Sequence, residues 1–134
     1  MEFQTHMLVR GIRGATTVEA NTREAILAAA TELLGEIVSA NNVDRDHVAS
    51  VIFSTTPDLN AEFPAVAARE MGWTDIALMC GHEMNVPGSL PRCLRILIHV
   101  NTELGVNEIK HVYLHGARAL RPDLAPGETV EATR

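Results

Sequence analysis

The sequence predicts an α+β (mixed α/β) fold: a single five-stranded mixed sheet packed by one long helix plus a short helix. Three observations predict it. Apolar, β-branched segments recur at 48–55, 94–100 and 109–117. One stretch, Thr22–Ala40, carries a sustained helical period. The segments alternate β-α-β-α early and finish as consecutive strands, with no internal repeat. One long helix cannot cover both faces of such a sheet. The bare face needs a partner, and an oligomer with shared sites is the natural solution.

The 134 residues suit one domain. With 46% hydrophobic and 21% charged residues the chain has the balance of a globular domain rather than a disordered one. No apolar run is long enough to span a bilayer. Met1–His6 is polar, lacks the apolar segment of a secretory signal, and reads as an N-terminal extension or tag remnant. Cys80 and Cys93 are therefore expected as reduced thiols in a cytoplasmic protein. A net charge of −6 argues against a nucleic-acid surface. Lys110 is the only lysine among 11 basic residues, so the rest are arginines. Codon bias explains that as well as function does. An acidic protein that binds an anion must nevertheless gather such forked donors locally.

Leu8–Ala15 reads as a strand whose glycines permit close backbone approach. Arg10 and Arg13, three apart, then point to opposite faces, so at most one serves a given pocket. Asn21 is placed to cap the following helix, with Glu24 as its partner. Ile26, Ala29, Ala30, Leu33, Ile37 and Ala40 form the packing face of Thr22–Ala40. Val48–Thr55 is a strand. Pro64 opens a short helix, Pro64–Met71, that stops at Gly72. Ile76–Cys80 is a short strand. Leu94–Val100 fits both a helix and an alternating strand; its β-branched residues and Pro91 upstream favour the strand. Ile109–Ala117 is the last strand, with His111, Tyr113 and His115 on one face and Val112 and Leu114 on the other. Residues 125–134 read as a flexible tail, leaving 8–124 as the domain.

The stretch Cys80–Arg95 organises the chemistry. It carries a thiol, a carboxylate and a guanidinium around a Pro/Gly/Ser bend, between apolar runs that can act as a rigid frame. The sequence lacks a nucleotide-binding glycine signature, a P-loop and a nucleophile-elbow serine. The C-x-H-E spacing at Cys80 is too tight for the usual zinc sites. Cys80 and His82 could form a thiolate couple, but nothing in the sequence orients the histidine, and a buried inert thiol is the plainer reading. Phe63 at a helix start is more readily core than ligand contact. The remaining arginines, glutamate, tyrosine and cysteine suit a reaction that needs shape and charge placement more than proton transfer.

Six motifs run in order: Arg10-Gly11-Ile12-Arg13-Gly14-Ala15-Thr16-Thr17-Val18, Thr56-Pro57-Asp58-Leu59-Asn60-Ala61-Glu62-Phe63-Pro64-Ala65, Cys80-Gly81-His82-Glu83-Met84, Cys93-Leu94-Arg95, His111-Val112-Tyr113-Leu114 and Leu120-Arg121-Pro122-Asp123-Leu124. Together they resemble the AroH class of chorismate mutase, from about residue 8 to residue 124. The resemblance implies a homotrimer forming a pseudo-barrel, with sites at subunit interfaces. It implies the rearrangement of chorismate to prephenate in phenylalanine and tyrosine biosynthesis, with no cofactor and no metal. It also implies roles. Arg95 would donate to the ether oxygen and a carboxylate. Arg13 and Tyr113 would each hold a carboxylate, and Glu83 would accept the ring hydroxyl's hydrogen bond. Cys80 would line the wall near that hydroxyl. Phe63, Ala65 and Arg69 would come from the neighbouring subunit, and Leu120 and Arg121 would cover the site. Two departures stand out: Met79 replaces a threonine common in the class and brings a thioether to the substrate wall, and Val66 replaces a lysine seen in some relatives. The competing readings are an imine or enamine deaminase on a similar trimer, and a carboxylate-binding module without catalysis.

Overall fold

The computed structural model describes residues 7–121. The extension 1–6, Pro122 and the tail 125–134 lie outside the described residues. Strands β1 (Leu8–Thr17), β2 (Val48–Thr55), β3 (Ala77–His82), β4 (Cys93–Thr102) and β5 (Val112–Tyr113) form one sheet in the order β3-β2-β4-β1-β5. β4 runs antiparallel to β1 and β2, while β2–β3 and β1–β5 are parallel, so the sheet is mixed as expected. Helices α1 (Arg23–Asn41) and α2 (Ala65–Glu70) connect β1 to β2 and β2 to β3.

Both helices pack on one face. Ile12, Val51, Phe53, Leu94, Ile96 and Ile98 from the sheet meet Ile26, Leu33, Leu34 and Ile37 from α1 and Ala67 and Ala68 from α2, all buried. Each large side chain so buried contributes about 1.5–3 kcal/mol of transfer free energy. The two layers approach tightly at Gly14, where a Cβ would stand 2.5 Å from Ile37 Cδ1.

Two local expectations need correction. Asn21 does not cap α1. Thr22 does, its hydroxyl accepting the Ala25 N–H at 3.1 Å from an extended backbone. Asn21 instead accepts the N–H groups of Asn60 and Ala61, fastening the loop before α2. The last strand is also much shorter than 109–117. The buried Asn41 side chain takes both backbone groups of Lys110, accepting its N–H at 2.8 Å and donating to its C=O at 2.9 Å, so pairing with β1 starts only at Val112. His115 then adopts φ +51, which ends the strand and opens a 3₁₀ helix, His115–Leu120. Gly72 terminates α2 as expected, with φ +94 and its N–H on the Arg69 carbonyl.

The other face of the sheet is largely bare. By register it presents Gly11, Arg13 and Ala15 from β1, Arg95, Leu97 and His99 from β4, Ser50, Ile52 and Ser54 from β2, and Ala77, Met79 and Gly81 from β3. Met79 is 65% exposed there. One corner is covered: Ala15, Cys93, Tyr113 and Ala117 form a small second core under the 3₁₀ helix, with Leu90 and Leu120 at its edge. Among the described residues, no helix is long and apolar enough to cross a membrane.

Candidate active site

Beside that covered corner lies a cavity of about 280 Å³. Arg13, Glu83, Arg95, Tyr113 and Arg121 all line it, over a floor that includes Ile52, Ser54 and Leu97. The strand period brings them there. Arg95 sits opposite Ala15 on one side and Ser54 on the other, and Tyr113 sits opposite Ala15. Arg13 shares their face, whereas Arg10 points the other way and donates to the Leu104 carbonyl at 3.2 Å.

Glu83 follows β3 directly, and its N–H donates to the Thr55 carbonyl at 2.7 Å. Its carboxylate is half-buried, and its Oε1 lies 3.8 Å from Nη1 of Arg95. That spacing is too long for a hydrogen bond, so the Arg95 fork remains available to a ligand. Arg13 donates its backbone N–H to Nδ1 of His111 at 3.0 Å. Burial, then the charges of Arg13 and Arg121, push the His111 pKa below its ordinary value.

A second cavity, of about 300 Å³, opens at the β3 edge and is lined by Leu59, Phe63, Pro64, Cys80 and His82 among others. Cys80 pairs with Phe53 and so faces the helix side, away from Arg95. Burial raises its thiol pKa, against the Ala65 N–H and the Arg69 charge, which lower it. His82 turns its Nδ1 to the Thr55 hydroxyl, at 3.1 Å. Both cysteines are free. Cys93 is buried, and burial pushes its thiol up to about 11, with the Arg95 charge opposing. Neither environment favours a thiolate nucleophile.

The chain matches the chorismate mutase type I family over residues 9–124. The chain belongs to the chorismate mutase type I family. Among its relatives, the chorismate mutase AroH of Bacillus subtilis is 44% identical over 126 residues, 93% of this chain and 99% of that protein. The chorismate mutase AroH of Thermus thermophilus is 48% identical over 118 residues, covering 87% and 97%. A solved chorismate mutase from Clostridium thermocellum superposes with a TM-score of 0.81 at 52% identity, over 82% of this chain and 98% of that one. A chorismate mutase is an isomerase, and this chain is one.

The residues expected to serve this mutase divide into two groups. Arg13, Glu83, Arg95, Tyr113 and Arg121 meet in one cavity. Phe63 and Cys80 meet in the other, with Arg69 close enough to act on the Cys80 thiol. Phe63 is 66% exposed, so an aromatic face is offered outward. Ala65 is buried, and its backbone N–H acts on the Cys80 thiol. Met79 lies on the bare face beside Ile52, and Leu120 lies at the edge of the small core. His111, on the face of Tyr113, supports the site through its bond to the Arg13 N–H, a role that its sequence position alone does not signal.

Proposed function

We propose that this mutase converts chorismate to prephenate in a site completed between subunits of a homotrimer. The observation that carries the reading is the single cavity holding Glu83, Arg95, Arg13, Tyr113 and Arg121. Chorismate is a dicarboxylate carrying a ring hydroxyl and an enol ether. Three guanidinium groups and a phenol on one wall suit its carboxylates and ether oxygen, and one carboxylate suits the hydroxyl.

The step is intramolecular and pericyclic: a C–C bond forms as the ether C–O bond breaks. It needs no nucleophile, base or cofactor. It needs the extended side chain held over the ring, and it needs negative charge on the ether oxygen to be met as it grows. Arg95 meets that charge and reaches a carboxylate. Arg13 and Tyr113 hold a carboxylate each. Glu83 accepts from the ring hydroxyl as a fixed anchor. Arg121 and Leu120 cover the ligand.

The second wall comes from the neighbouring subunit: Phe63, Cys80, Arg69 and the backbone at Ala65. In one chain Cys80 faces away from Arg95, which supports a site shared between two chains. The bare sheet face with Ile52, Leu97 and Met79 supports the same assembly. Met79 then lies near the wall as a thioether in place of a hydroxyl.

The test is the loss of chorismate absorbance with purified protein in buffer containing a chelator, with product identified as prephenate and mass measured by light scattering. Turnover by a trimer supports the reading. A folded protein without turnover would move the weight to imine hydrolysis or simple carboxylate binding.

A further inference from the structure

Arg95 and Glu83 lie on different elements, yet the backbone of both is tied to the same end of β2. Glu83 hangs from the Thr55 carbonyl. One residue on, Thr56 holds both backbone groups of Cys93: its N–H donates to the Cys93 carbonyl at 2.9 Å, and its hydroxyl accepts the Cys93 N–H at 3.0 Å. Cys93 is the first residue of β4 and precedes Arg95 by two, on the same face.

A hydroxyl has one proton. Thr56 gives it to Oδ1 of Asp58 at 2.5 Å, which leaves its lone pairs aimed at Cys93. Oδ2 of Asp58 accepts the Arg92 N–H at 2.9 Å. Arg92 is the corner that turns the preceding loop into β4, and it sits at φ +46, a left-handed conformation unusual for a residue with a side chain. Its carbonyl accepts the Val18 N–H at 2.8 Å. One carboxylate thus fixes both the corner and the hydroxyl that registers the strand. A slip of one residue in β4 would turn Arg95 onto the helix face.

We propose that Asp58, acting through Thr56, is a positioning residue that sets the register and direction of Arg95 against Glu83 for the mutase reaction. This rests on the chorismate mutase reading. Asp58 touches no part of the proposed site; its effect passes through the entry to β4. Its ionised form is favoured by the Thr56 hydroxyl and the Arg92 N–H, against the cost of burial. The same turn leads through Leu59, whose carbonyl accepts from the Thr55 hydroxyl at 3.2 Å, towards Phe63 and the other cavity. Within each chain, the wall given to one site and the wall given to the next are therefore both referred to one short segment.

The test is a double-mutant cycle read by steady-state turnover of chorismate. Wild-type turnover is measured first, so that failure of the mutase reading is seen separately. Asp58→Ala should lower kcat about 10–100-fold with KM changed less than about 3-fold, the scale expected for a misplaced catalytic group. In an Arg95→Lys background the same substitution should cost less than about 3-fold, because its effect passes through Arg95. Asp58→Asn, which keeps shape and one acceptor, should lie between, and Thr56→Ser should retain most activity where Thr56→Val does not. Thermal melting of each variant establishes folding; should Asp58→Ala not fold, Asp58→Asn and Thr56→Val carry the cycle. Equal losses in both backgrounds, or a change confined to KM or Tm, would overturn the proposal.

Discussion

Nη1 of Arg95 stands 3.8 Å from Oε1 of Glu83 across the floor of the cavity. The two are within ion-pair distance yet too far apart to consume each other's hydrogen bonds. A ligand with an acceptor and a donor a few ångströms apart can engage both. Arg95→Lys keeps a positive charge and loses the fork. It should lower kcat by at least about 10²-fold, as removal of an oxyanion donor does. KM should change less. Steady-state kinetics on chorismate decide it, and a KM effect alone would reduce Arg95 to a binding group.

Glu83 is proposed as an acceptor and not as a base. Glu83→Gln preserves a carbonyl acceptor at nearly the same place, whereas Glu83→Ala removes it. The glutamine variant should therefore retain at least about 10-fold more kcat/KM than the alanine variant, a difference on the scale of one hydrogen bond to a charged or polar partner. Equal, near-complete loss in both variants would instead assign proton transfer to Glu83.

The legible part of this fold was the part set by periodicity. Alternation in 94–100 separated Leu94, Ile96 and Ile98 from Arg95 and Leu97, and the same parity carried Arg13, Arg95 and Tyr113 to one cavity. Side-chain competition for backbone groups was not legible. Asn41 reaches 69 residues along the chain to occupy Lys110, which shortens the last strand at its start. Nothing in the local pattern of 109–117 signals that. The left-handed turn at His115 was equally hidden, because histidine has no glycine-like preference for it. Cys80 and Glu83, three apart, were bound to diverge by strand parity, but that Cys80 takes the helix side follows from its pairing with Phe53, a fact of register.

His111 must be neutral at Nδ1 to accept the Arg13 N–H. Its pKa is lowered by burial first and by the Arg13 and Arg121 charges next. With the folded value below the unfolded one, the unfolded chain binds the extra proton first as pH falls. The stability held by neutral His111 is full above the ordinary histidine pKa and is lost as pH drops through the folded value. The prediction is an imidazole NMR titration for His111 with a midpoint below about 6.5, the unperturbed value, and the Nε2–H tautomer at neutral pH. His111→Gln should flatten the fall of Tm in that same window. A midpoint at or above the ordinary value would contradict the assignment.

The chemically identical change from glycine to alanine should have opposite signs at two positions. At Gly14 a Cβ meets Ile37 Cδ1 at 2.5 Å, Leu33 Cδ1 at 3.0 Å and Ile37 Cγ1 at 3.1 Å. Both side chains are fully buried among Ile12, Leu34 and Val112, so the helix cannot yield by a rotamer change alone. Gly14→Ala should cost about 1–3 kcal/mol through overpacking. It should also shift β1 beside Arg13, so kcat should fall with Tm. Gly35 lies inside α1 with nothing within 4 Å of an added Cβ. There alanine only restricts the unfolded chain and favours the helix, a gain of about 0.4–1 kcal/mol with kcat unchanged. Thermal melts and turnover of the two variants measured side by side test the pair. A stabilised Gly14→Ala would mean that α1 is not held against β1 at the distance found here.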